Sequence, residues 1–179
     1  RQVAFLAGSF PAPEDREWLR VFMLAVESER TRFYDAWWTA EQQRRLPVYQ
    51  AVDSLWRRVY RPKLQGFLNN SRQIGGDLVL SLALGGEGRT VTGGQRDNLV
   101  TVTYPATRED AAEAIYVLAH ELVGALVAEQ IADNVTPAEL RDGAADRLQS
   151  PAAVHGGHLL LRRVAPELAD GYARYYLSL

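Results

Sequence analysis

The sequence predicts an α+β fold: a mostly helical single domain with a small antiparallel sheet packed near one buried central helix. Three observations predict it. Apolar residues recur at helical spacing over most of 13–70; from Asp77 to Tyr104 the pattern changes to alternation; after Pro105 a long helical stretch is apolar on nearly every side. A chain of 179 residues suits one core, and its 47% apolar and 23% charged residues are ordinary for a globular protein. With no repeat, low-complexity tract or Gly/Ser linker, residues 1–179 read as one domain: helical over 1–70, a sheet over 77–104, helical again over 107–179.

In the first part, Trp18, Leu19, Phe22, Leu24, Ala25 and Val26 give an apolar stripe on a helix from about Pro13 to Trp38. Glu27 to Arg32 supplies its solvated charged face. Thr39 with Gln42 resembles a capping box that opens another helix. Pro47 and Pro62 are expected to divide the segment to Asn70, where Val52, Leu55, Trp56, Val59 and Tyr60 make one apolar face.

Residues 77–84 and 98–104 read as strands, the second alternating clearly, and the Gly-rich connection 85–97 has room for a short third strand around Thr90 to Thr92. That connection lacks the Lys-Ser/Thr and the following helix of a phosphate loop. Thr107 with Asp110 forms a candidate N-cap pair for a helix from about Glu109 to Ala132. Thr136-Pro-Ala-Glu139 is a capping box with proline at the first helical position. Ser150-Pro151 is expected to begin a helix through His155 and His158, and Pro166 a last one ending in Tyr172, Tyr175 and Tyr176.

Composition excludes several classes. A net charge of −2 gives no electrostatic case for nucleic acid or an anionic membrane. No uninterrupted apolar run reaches the roughly 20 residues that span a bilayer. With no cysteine, disulfides and thiolate metal sites are ruled out. A start at Arg1 rather than Met fits removal of an upstream export signal, or simple trimming.

The chemistry-bearing residues sit in the apolar helix, at His120-Glu121-Leu-Val-Gly124. Placing His and Glu side by side in a buried helix is costly unless both are satisfied, so the pair marks either a site or an interior hydrogen bond. In its context of strand, turn and buried helix, Ala119-His-Glu-Leu-Val-Gly124 resembles the zincin metallopeptidases, whose H-E-x-x-H helix carries two zinc-ligating histidines and a glutamate that activates water. The resemblance covers about residues 77–163. It implies zinc at His120, Glu121 as general base, strand 98–104 beside the substrate cleft, and a peptide or protein substrate. Gly124 stands where the second histidine belongs.

Two routes remain open within that resemblance, beside an unrelated helical fold. His155 and His158, one turn apart on a later helix, are candidate replacement ligands, with Gly124 leaving room for an incoming imidazole. Alternatively the glycines at 124, 156 and 157 only let helices cross closely, and the chain is a zincin-like scaffold or binding protein without its metal. Glu139 is explained by its capping box. Glu87 and Arg89 are weak candidates for a cleft rim, and a tyrosine among 172, 175 and 176 for an oxyanion donor, although an aromatic stripe closing the core explains the tyrosines as well.

Overall fold

The sheet is mixed rather than antiparallel, and its strand order decides where the cleft lies. In the computed structural model of the chain, which describes residues 8, 10–85 and 88–178, three strands form one sheet. They are β1 (Gly76–Ser81), β2 (Arg89–Thr92) and β3 (Asn98–Thr103), in the order β1-β3-β2. β3 runs parallel to β1, with Leu80 opposite Val102, and antiparallel to β2, with Thr90 opposite Val100. The expected antiparallel pairing of the two long strands fails because they are not the arms of a hairpin. The connection between them supplies β2, with β-branched residues at Thr90, Val91 and Thr92. β2 takes the far edge, and the chain returns between it and β1. β3 alternates as expected, burying Asn98, Val100 and Val102 while Leu99 stays exposed.

The helices depart from expectation mainly at prolines. α1 (Pro13–Glu29) is followed by a π-helical segment (Arg30–Tyr34) and α2 (Asp35–Ser54). Thr39 is interior to α2, where its hydroxyl donates back to the Asp35 carbonyl (2.8 Å), so no helix opens there; Pro47 also lies inside α2. A second π-helical segment (Leu55–Tyr60) precedes α3 (Arg61–Asn70), with Pro62 in its first turn. The central helix α4 (Ala111–Asn134) is unbroken, as its pattern predicts. The Thr107 amide and hydroxyl donate to the Asp110 carboxylate (3.2 and 2.6 Å), which closes the turn before α4 rather than capping it. α5 (Pro137–Arg141) opens on the expected capping box, with the Glu139 carboxylate accepting from the Thr136 amide at 2.8 Å. α6 (Ala144–Val164) starts earlier than Pro151, after Gly143 at φ 69. Pro151 is accommodated inside α6, where packing against α4 outweighs one lost backbone bond. α7 (Pro166–Leu177) begins at Pro166 as expected.

By compactness the chain divides into two units, Arg1–Leu46 and Pro47–Leu179. In the described part of the first unit only Leu19 is buried. The second holds the core, which gathers the buried residues of α4, from Ala111 to Leu122, with Val52, Leu64, Val102, Leu161 and Tyr172. Among the described residues α4 alone is long and apolar enough to cross a membrane by length and composition, but its first half is the centre of this core.

Candidate functional site

The edge strand β2 lines the cleft beside His120, while the central strand β3 packs on the His120 helix itself. Sequence reasoning placed residues 98–104 beside the cleft; the mixed topology puts β3 in the middle and gives that place to β2. A cleft of about 810 Å³ opens between β2 and α6, floored by α4. β2 and the residue before it contribute Gly88, Arg89, Thr90 and Thr92; α4 contributes His120, Glu121, Gly124 and Ala125. Asp146, Gln149 and Ser150 line it from α6, and Tyr176 from α7.

Glu121 is the most constrained of these groups. Its side chain is only 14% exposed. The Thr90 hydroxyl donates to its Oε2 at 2.8 Å, and His120 Nδ1 lies 3.4 Å from its Oε1. Burial pushes the carboxyl up, but the hydrogen bonds from His120 and Thr90, with the charges of His120 and Arg89, outweigh it and hold Glu121 below the usual carboxylate range. Glu121 is therefore an ionised acceptor on the cleft floor. Gly88 makes room for it: a Cβ there would stand 2.4 Å from Glu121 Cγ.

His120 is fixed on its other side by an aromatic wall. Its ring stacks on Tyr176 (centroids 5.0 Å apart, planes 22° apart), and Tyr176 packs on Tyr172 at 4.8 Å. The C-terminal tyrosines are thus the stripe that closes the core, with Tyr176 also reaching the cleft. Gln73 Nε2 donates to the Leu122 carbonyl (3.0 Å), tying the approach to β1 onto the same helix.

The two other histidines are elsewhere. His155 is exposed, His158 is half-buried, and neither lines the cleft with His120. Gly124 does leave space, since a Cβ there would meet nothing within 4 Å, but no imidazole enters it from α6. Gly156 and Gly157 serve packing instead. A Cβ on Gly156 would contact Val123 and Val127 of α4, and one on Gly157 would stand 2.2 Å from the Tyr172 hydroxyl. Glu139 lies in its capping box and borders a different, apolar groove near Leu126 and Ile131. Arg89 does reach the cleft; Glu87 lies outside the described residues.

Comparison with family models, curated proteins and solved structures finds no match for this chain. The site must be read from its own geometry. Among the described residues no three histidine, aspartate or glutamate side chains gather closely enough to hold a metal ion. The donors at His120 stop short of the three protein ligands that catalytic zinc takes.

Proposed function

We propose that the cleft binds an extended peptide segment, on a zincin-like scaffold that has lost its metal site. The observation that carries this reading is the position of β2. It is an edge strand, four residues long, lying along a cleft whose floor presents an ionised carboxylate. Edge strands offer unpaired backbone groups, and an extended chain can add to them by main-chain hydrogen bonds while side-chain pockets give selectivity. Gly124 keeps the floor open where a side chain would fill it. Glu121 is committed to Thr90 and His120, so it acts here as a fixed acceptor for a peptide N–H or a cationic group.

Titration with a pool of random octapeptides, followed by amide NMR, tests this. Shifts should concentrate at Arg89–Thr92 and at 120–125, and uniform silence of the β2 amides would dismiss the reading. Metal-dependent hydrolysis is a second reading, favoured by the adjacency of His120 and the ionised Glu121. Stoichiometric zinc in protein purified without a histidine tag, with peptide cleavage lost in Glu121→Gln, would establish it over the first.

A further inference from the structure

The charges around the cleft are not balanced, and the imbalance points to a ligand. On the β2 side, Glu121 is offset by Arg89, whose positive charge helps hold it ionised, and by His120. On the α6 side stands Asp146, exposed, with no hydrogen bond or ion pair to any described residue. The nearest base in sequence, Arg147, is turned away: its Nη1 donates to the Asp142 carbonyl at 2.7 Å. The neighbours of Asp146 on this side of the cleft, Gln149 and Ser150, are neutral. One wall therefore carries a carboxylate paired by side chains, and the other a carboxylate that meets only the N-terminal turn of α6.

We propose that the peptide taken by this cleft carries a lysine or arginine, and that Asp146 is the residue that selects it. The inference rests on the peptide-binding reading above. A segment paired on β2 projects alternate side chains to the two faces of the sheet. Those on the Thr90 side enter the cleft, where the α6 wall offers a carboxylate with no side-chain partner among the described residues. A basic side chain there gains an ion pair, whereas an acidic one meets like charge at Asp146. Because Asp146 is exposed, the preference is moderate and falls with salt. Its removal leaves the core untouched.

Random octapeptides displayed on phage, selected on the immobilised full chain, test the inference. Wild type should enrich lysine or arginine over glutamate at one position by roughly fivefold or more at low salt. Asp146→Asn should flatten that position, and Asp146→Lys should invert it toward aspartate and glutamate. Circular dichroism and melting of each variant confirm that it is folded. The same basic preference in wild type and Asp146→Lys would overturn the selectivity while leaving peptide binding in place. Failure of wild type to enrich any sequence would overturn both.

Discussion

A methyl group on Gly88 would stand 2.4 Å from Glu121 Cγ, so the loop before β2 and the glutamate of α4 can share that space only while residue 88 is glycine. Gly88→Ala should push the carboxylate off the Thr90 hydroxyl and cost about 1.5–3 kcal/mol in urea unfolding, the range of a hydrogen bond to a charged group. Thr90→Val should cost a similar amount. If both act on one bond, the double variant should lose much less than the sum, and full additivity would show that Gly88 matters for another reason. Glu121 also carries a pH signature. Its carboxyl is held below its ordinary value of 4.5, so the charged form favours the folded state. That stability is complete above pH 4.5 and is lost as pH falls through the lower folded value. Glu121→Gln should therefore melt below wild type at pH 7, with the gap closing as the pH drops under 4.5. A gap that stays constant down to pH 3 would mean that the carboxylate is not stabilised as its neighbours imply.

At the scale of elements, the local signals read true where one short motif settles the structure. Thr136 and Glu139 form the capping box that their spacing predicts, and Thr136→Ala should cost about 1 kcal/mol, measured by urea melting, with α5 fraying first. The apolar pattern of 111–131 likewise gives the central helix, because a stretch apolar on nearly every side reads as a helix without its partner's sequence; the part up to Val123 is the buried one. Ser150-Pro151 and Thr39-Gln42 mislead for the opposite reason. They are start signals inside helices that tertiary packing or neighbouring helical residues carry through. The cleft was half legible. His120, Glu121 and Arg89 stand out by residue type, whereas Thr90, Gly88 and Asp146 join them only through the strand order, which no local pattern encodes. The signal for β2 was present in Thr90 to Thr92, but its place at the edge depends on β3 inserting beside β1. His155 and His158 were drawn to His120 by residue type, their one-turn spacing and the space at Gly124, whereas the glycine next to each places the α6 backbone against α4 and α7. Gly157→Ala should drive a methyl group into the Tyr172 hydroxyl and cost about 1–3 kcal/mol of stability by overpacking. An unchanged melting temperature would mean that α7 can slide away freely.

For the whole molecule, the division at Leu46 separates a unit with a core from one whose described residues nearly lack one. Every residue of the buried cluster lies between Val52 and Tyr172, so the apolar burial that offsets chain entropy is contained in 47–179. The described residues before Pro47 bury only Leu19 and leave Trp18, Phe22, Leu24, Phe33 and Trp37 exposed. Helices of that kind draw little from packing, and helicity that rests on propensity depends on temperature and fades gradually on heating. A protein comprising 47–179 should consequently fold by itself, with one cooperative urea transition at nearly the midpoint of the full chain. A peptide of residues 10–46 should show only partial helicity that melts gradually. Each follows from the location of the core rather than from any feature of the cleft. Loss of cooperativity in 47–179 would show that the first unit completes the fold of the second. A sharp transition in the short peptide, at a concentration where it stays monomeric, would show that its stability comes from something other than burial.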